Sequence, residues 1–156
     1  MNTYAKLEQL KALVGEHIGN SGWISIEQPR IQQFADATDD HQWIHLDVER
    51  AKEGPFGTTV AHGFLTVSLL PRMMSEAFSV EDVETAVNYG LNRLRFPSPV
   101  PVRSRVRGQF RLLSMEPVPG GSQLTMEVTI ELEGSRKPAC VAEMIARLFT
   151  AGASSP

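Results

Sequence analysis

The chain has 156 residues, and its apolar fraction of 42% and charged fraction of 21% are typical of a globular protein. We therefore expect one domain spanning residues 1–156. The formal net charge of −3 excludes a general electrostatic attraction to nucleic acid or to an anionic membrane. Cys140 is the single cysteine, which excludes an internal disulfide and is typical of a reducing compartment, and we expect its thiol to be buried.

The N-terminus and the most apolar stretch of the chain predict where the protein is located in the cell. The N-terminus, MNTYAK, lacks the basic and then apolar order of a secretory signal. The most apolar stretch, residues 60–74, contains His62 and Arg72 and is too short to span a bilayer. We therefore expect a soluble, cytoplasmic protein without a membrane partner.

Two helices and one strand are predicted before residue 39. Apolar residues near the N-terminus recur at helical spacing and predict an amphipathic helix that Gly15 ends: they are Tyr4, Leu7, Leu10 and Val14. Alternation in residues 17–27 predicts a strand. Pro29 then opens a second helix, because proline is favoured at the first helical position.

The centre of the chain holds a polar stretch and an apolar one. Residues 39–57 are polar and irregular, with one helical turn expected near residues 48–51. Residues 62–78 are apolar nearly all round a helix, which predicts a buried helix, and Pro71 is expected to kink it.

The C-terminal half is predicted to form strands. Residues 84–96 and 138–149 each predict one strand, and strict alternation in residues 102–112 and 124–133 predicts two more. Turns are expected at residues 119–122 and 134–136. Because strands with one apolar face need a cover, and the apolar helix is the one candidate, we predict an α+β hot-dog fold, a curved antiparallel sheet wrapped around a long central helix.

A row of arginines alternates with the apolar residues of the strand at 102–112. One interpretation is a phosphate-binding row. The interpretation we favour is a solvated face, since a hairpin centred near Gly120 places Arg107 and Arg111 opposite the glutamates of residues 127–133.

The segment at residues 39–47, DDHQWIHLD, packs three carboxylates and two histidines directly after a helix. A solvated loop with capping aspartates is the simplest interpretation. A metal site is a second, because His41 and His45 are four residues apart, but no glutamate completes a zinc-protease pattern. We expect no metal.

The third interpretation is a general acid/base pair. Asp40 and His45 are five residues apart and would not share a face of a helix, but a loop could direct both towards one water. A histidine and a carboxylate can hold a water by two hydrogen bonds and move its protons near neutral pH.

Three blocks of the sequence resemble the MaoC-like family of hot-dog hydratases. Residues 37–45, ATDDHQWIH, resemble its hydratase-2 motif, in which an aspartate and a histidine stand five apart. Residues 58–65, TTVAHGFL, resemble the entry into the central helix, and residues 89–100, YGLNRLRFPSPV, resemble a strand ending in Arg-Phe before prolines. Gln42-Trp43 replaces the usual Asn-Pro and Asp39 the usual Gly, a form similar to the subgroup related to nodulation protein N.

The resemblance implies reversible hydration of trans-2-enoyl-CoA to (R)-3-hydroxyacyl-CoA by a homodimer, with the coenzyme A thioester as substrate and no cofactor. It implies that Asp40 acts as base toward water while His45 holds the water and helps to deliver a proton to C2.

Further residues are expected to bind the substrate. Gly63 stands at the predicted helix start, where unpaired N–H groups can receive the thioester oxyanion. Gln42 is a further candidate, as is His62, for which a hydrogen-bonding role is favoured over a catalytic one. Two alternatives remain: a hot-dog thioesterase, although the central helix has its first acid only at Glu76, and a non-catalytic acyl-thioester-binding dimer.

Overall fold

The N-terminal segment differs from its prediction. The computed structural model of the protein describes residues 1–151. Strand β1 (Asn2–Tyr4) precedes a 3₁₀ helix (Leu7–Leu13), so the predicted N-terminal α-helix is wrong. The apolar residues that bury one face of this segment are three apart, which is the period of a 3₁₀ helix and not of an α-helix.

The strand predicted at residues 17–27 is two strands, β2 (His17–Asn20) and β3 (Ile24–Ile26). Both pair with the same neighbouring strand, and the pairing of β2 is shifted by an irregularity between His17 and Gly19. Between them Ser21 bonds to Gly108 through both its backbone N–H and its hydroxyl.

Three short helices come next: α1 (Gln28–Thr38), α2 (Trp43–Leu46) and α3 (Val48–Lys52). The helix opened by Pro29 and the helical turn near residues 48–51 are confirmed, whereas α2 was not predicted. Helix α1 ends at Asp39, whose backbone is left-handed, with φ of 59°. Asparagine and aspartate tolerate that conformation better than most residues.

The central helix is confirmed, with a break. It consists of α4 (Gly63–Ser68) and α5 (Leu70–Ala77), which meet at Leu69, directly before the first turn that contains Pro71. Proline has no N–H to continue the ladder, which explains a break at this point. The expectation that the helix is buried all round is wrong at Phe64, which is 65% exposed.

The sheet has the predicted strands. After β4 (Phe78–Val80) come β5 (Val83–Arg95), β6 (Ser104–Val118), β7 (Gly121–Leu132) and β8 (Cys140–Thr150). In the main sheet the order is β2-β6-β7-β8-β5, all antiparallel, with β3 also paired to β6, while β4 pairs in parallel with β1. The β6–β7 turn is the predicted one, since Val118 pairs with Gly121 and Gly120 has a φ of 82°.

The core lies between the inner face of the sheet and the central helix. Alternate residues of β6, β7 and β8 are buried, and Leu70 and Met73 of α5 are buried with them. A Cβ on Gly108 would lie 3.1 Å from Met73, so the helix rests directly on β6 there. This arrangement confirms the hot-dog fold predicted from the strand pattern.

The outer face of the sheet carries paired charges. Arg105 forms an ion pair with Glu133 and Arg107 with Glu131, and Arg111 stands opposite Glu127. The solvated-face interpretation of the arginine row is therefore confirmed.

The cysteine is buried as predicted. Cys140 is 1% exposed, and burial raises the pKa of its thiol to about 11, so the thiol is protonated at neutral pH. Within residues 1–151, no helix has both the length and the apolar character needed to cross a bilayer.

Candidate active site

Asp40 and His45 are brought together by the turn between α1 and α2. Asp40 is the first residue after the left-handed Asp39 that ends α1. Gln42 precedes α2, and its carbonyl accepts a hydrogen bond of 3.0 Å from the backbone N–H of His45. This turn directs the His45 ring inward, where it is 6% exposed, while the side chain of Asp40 stays 54% exposed.

A third residue completes the cluster. One carboxylate oxygen of Asp40, one ring nitrogen of His45 and one of His62 all lie within 4.8 Å of one another. A water that makes two hydrogen bonds of about 2.8 Å at a tetrahedral angle spans about 4.6 Å between its partners. Asp40 and His45 therefore lie close enough together to share one water, as the acid/base interpretation requires.

The hydrogen bonds of His45 determine its tautomer. Its Nδ1 lies 2.7 Å from the carbonyl oxygen of Val60, and a carbonyl can only accept, so Nδ1 carries the proton. In the neutral ring Nε2 then keeps its lone pair and can accept a hydrogen bond. Burial lowers the pKa of His45 from its ordinary value of 6.5, against a smaller rise caused by the Val60 bond, so the neutral form predominates at pH 7.

The lowered pKa of His45 predicts how kcat/KM depends on pH. The value of kcat/KM should stay level from pH 8 to about 6.5 and fall only at lower pH, because protonated His45 cannot accept a hydrogen from water. The unfolded chain also binds this proton first as pH falls, so the free energy of unfolding should decrease below pH 6.5. Steady-state measurement of kcat/KM, which reports on the free enzyme, checks the pH profile, and thermal melts at each pH check the stability. A fall in kcat/KM centred above pH 6.5 would contradict the lowered pKa.

Two cavities meet at the cluster. One of about 320 Å³ and one of about 230 Å³ both have His45 and Gly63 in their walls. Asp40 and His62 line the smaller cavity, whereas the larger is mainly apolar. Sequence reasoning gave no binding role to the aromatic residues of these walls, of which only Phe64 and Phe96 belonged to a recognised block; they are Phe34, Phe56, Phe64 and Phe96.

Gly63 lies where the prediction placed it, as the first residue of α4. The N–H groups of the first helical turn have no partner within the helix and can donate to a bound oxygen. A Cβ at Gly63 would lie 3.0 Å from the ring of Phe96, so close packing also favours glycine here. Gln42, by contrast, is exposed and lines neither cavity, and its backbone supports α2.

The pairing of His41 and His45 in a metal site is wrong. His41 is exposed, and its Nε2 bonds to Asp36 at 2.9 Å, which raises the pKa of His41 and lowers that of Asp36. It is not part of the cluster.

The cluster itself does not fit a metal ion. The rings of His45 and His62 are stacked, with centroids 3.7 Å apart and planes inclined by 24°. An ion bound by imidazole lies in the ring plane, about 2.0–2.1 Å from the nitrogen. The lone pairs of stacked rings lie in nearly parallel planes, and one ion cannot lie in both planes at that distance. The absence of a metal requirement stays a prediction.

Comparison with known sequences gives three findings. The sequence model of the family described as "MaoC like domain" matches residues 9–135. The "3-hydroxyacyl-thioester dehydratase Z" of Mycobacterium tuberculosis strain H37Rv is 53% identical over 148 residues, covering 94% of this chain and 98% of that protein. "Nodulation protein N" of Rhizobium leguminosarum bv. viciae is 48% identical, covering 89% and 88% respectively.

Comparison with solved structures bears on the fold alone. A MaoC-like dehydratase from Rhodospirillum rubrum superposes with a TM-score of 0.75 at 22% identity, covering 93% of this chain and 97% of that one. The (R)-hydratase from A. caviae superposes with a TM-score of 0.68 at 20% identity, covering 86% and 96%. The strand order and central helix described above are thus those of known hot-dog proteins.

Proposed function

We infer that this chain, which belongs to the family of MaoC-like domains, is a hydro-lyase that adds water reversibly to trans-2-enoyl-CoA to give (R)-3-hydroxyacyl-CoA. The observation that carries the proposal is that a carboxylate oxygen of Asp40 and a ring nitrogen of His45 lie within 4.8 Å of each other, close enough to share one water, in the wall of a cavity that Gly63 also lines. The relative named a 3-hydroxyacyl-thioester dehydratase supports the same reaction class.

The mechanism follows from the two acceptors that share this water. The water donates one O–H to the Asp40 carboxylate and the other to Nε2 of His45, which leaves a lone pair of its oxygen directed at C3. As the C3–O bond forms, the C2–C3 π electrons move towards the thioester carbonyl, whose oxygen becomes negative. The proton taken from water, with Asp40 as base, then passes through the pair to C2, and both groups return to their initial state.

Gly63 is the proposed oxyanion donor. Its N–H lies at the start of α4, in the wall shared by the two cavities. A thioester carbonyl placed there would receive that N–H, with the acyl chain in one cavity and the pantetheine arm in the other. Donors fixed before the reaction stabilise a developing oxyanion more than mobile water does.

We further propose a homodimer of two-fold symmetry. Strand β5 ends the order of the main sheet, and no strand within residues 1–151 pairs with its outer edge. The strand carries the exposed apolar residues Val87, Tyr89 and Leu91. An unprotected edge of this length is a liability unless another chain covers it. A cavity of about 430 Å³ between this strand and the central helix adds further apolar surface for a second copy to cover.

The thioesterase alternative has less support. It requires a carboxylate on the central helix, and the first one there is Glu76 near its C-terminal end. Glu76 accepts a hydrogen bond from the backbone of Gly22 and pairs with Arg72.

The proposal also includes a cytoplasmic location and a reaction that needs no cofactor. The single buried thiol, Cys140, fits a reducing compartment.

The proposed reaction predicts a single product from crotonyl-CoA. The enoyl absorbance should fall without release of free thiol, and chiral analysis should find the (R)-3-hydroxybutyryl thioester. Release of thiol would indicate a thioesterase, and binding without turnover a binding protein. A mainly (S) product would contradict the proposal, because it requires water on the opposite face of the double bond.

A further inference from the structure

We propose that His62 is a positioning residue for the hydration: its Nε2–H holds the backbone of Asp40, and its ring holds and shields His45. The inference rests on the proposed function and extends it to a residue outside the Asp-His motif. It assigns to His62 a role in the rate of the reaction and not only in the stability of the fold.

His62 is placed to contact both residues. It directly precedes α4 and is 3% exposed, and it lines the cavity that Asp40 also lines. His62 therefore places the start of the central helix against the segment that holds Asp40 and His45. Because α4 is packed on the core, it provides a rigid support for that segment.

The first contact is with the backbone of Asp40. Nε2 of His62 lies 2.9 Å from the Asp40 carbonyl oxygen and 3.9 Å from its carboxylate. Since the carbonyl accepts, Nε2 carries the proton. Asp40 follows the left-handed Asp39 that ends α1, and its side chain is half exposed, so this hydrogen bond restricts where its carboxylate can lie.

The second contact is with the ring of His45. The two imidazoles are stacked at 3.7 Å, and Phe34 lies on His62 at 5.0 Å between centroids. The Val60 carbonyl holds Nδ1 of His45, and the His62 face limits rotation about that bond. The same face keeps water from one side of His45, and burial is the main cause of the lowered pKa of His45.

The remaining nitrogen of His62 indicates that the arrangement serves more than stability. Its Nδ1 is buried and has no hydrogen-bond partner among residues 1–151. Buried polar atoms without partners are rare and costly, and they call for a reason beyond packing. Here the reason is that the ring orientation which serves Asp40 and His45 leaves Nδ1 facing the protein interior.

Two substitutions separate the two contacts. His62→Gln keeps an N–H donor near the position of Nε2 but removes the ring face. His62→Phe keeps a ring for the stack but removes the donor. Each is compared with Ile18→Val, a change in the fully buried core outside both cavities, which controls for general loss of stability in thermal melts.

Kinetics with crotonyl-CoA should separate the effect of the contact with Asp40 from that of the contact with His45. His62→Phe should lower kcat at least about tenfold with KM within about threefold, because misplacing a catalytic group by about 1 Å can cost about a hundredfold. At pH 8, His62→Gln should recover most of the kcat that His62→Phe loses. Its kcat/KM should begin to fall at a higher pH than that of the wild type, because water reaches His45. A His62→Phe enzyme within about twofold of wild type, or a His62→Gln enzyme as slow as His62→Phe, would overturn the role toward Asp40.

Imidazole NMR titration of His45 gives a readout independent of turnover. Its pKa should be higher in His62→Gln than in the wild type, and unchanged values would overturn the shielding role. A wild-type protein that does not hydrate crotonyl-CoA would instead overturn the proposed function, while the titration would still decide whether His62 shields His45.

Discussion

Asp40→Asn and His45→Gln are each expected to lower kcat for crotonyl-CoA hydration by at least about a hundredfold, since a positioned acid or base typically contributes about 10²–10⁴-fold. Both substitutions keep size and much of the hydrogen-bonding capacity. The Asn amide can still hold a water but cannot take its proton, and the Gln amide cannot act as base at any accessible pH. Steady-state kinetics at pH 8, where wild-type His45 is neutral, measure the loss.

The double variant tests whether the two residues serve one water. Groups that act as a unit are strongly non-additive, so the double variant should be scarcely slower than the slower single variant. Losses that multiply would indicate that Asp40 and His45 act independently, which the separation of less than 4.8 Å does not favour.

His41→Gln is the matched control for this pair. His41 belongs to the same loop, but it is exposed and its partner is Asp36. Its loss of kcat should stay below about tenfold, equivalent to about 1.4 kcal/mol. A loss as large as that of His45→Gln, or near-full activity of Asp40→Asn, would contradict the assignment. Thermal melts on every variant identify a collapsed loop, which would imitate a lost catalyst.

Val87→Lys combined with Leu91→Lys is expected to weaken the dimer at least about a hundredfold. These side chains are 44% and 38% exposed on β5, at whose outer edge a second copy is proposed to pair. Like charges brought together across an interface cost several kcal/mol, and charge on an edge strand opposes pairing. Sedimentation equilibrium over a dilution series measures the change.

Activity is expected to fall in parallel with the dimer, because the resemblance to hot-dog hydratases implies an active site at the proposed subunit contact. Val14→Lys is the control: Val14 is similarly exposed, at 45%, but the next residue, Gly15, donates its backbone N–H to Leu112 of β6, which β7 and β8 separate from β5 in the sheet. That variant should remain dimeric and active. A wild-type protein that sediments as a fully active monomer would overturn the proposed dimer.

The sheet and its charges could be predicted from the sequence, because they depend on short-range patterns. Alternation has the period of a strand, and the Pro119-Gly120 turn supplies a positive φ between β6 and β7. The turn sets the register to within one residue, and the shift between Leu112 and Ser114 then places Arg107 and Arg111 opposite Glu131 and Glu127. The helical period of the N-terminal segment misled us because spacings of three and of four residues overlap over so few turns.

The site was predictable only in part. The sequence determined that Asp40 and His45 lie in one short segment, and the resemblance of that segment to a known motif indicated their roles. No local sequence pattern indicates how far apart two side chains lie. The approach of Asp40, His45 and His62 to within 4.8 Å depends on the unpredicted helix α2 and on the contact of Asp40 with His62, which is 22 residues away in the chain.

Only the tertiary structure decided which neighbours complete the site. It showed that the candidate Gln42 lines neither cavity, that the candidate His62 lines one of them and that His41 bonds to Asp36, and it added a wall of aromatic side chains, including Phe56. The physical reason is that the two cavities form where the α1–α2 loop, the start of the central helix and the segment after β5 pack together. Such packing depends on the closure of long chain segments, whereas the sequence pattern reports the period and chemistry of each segment alone.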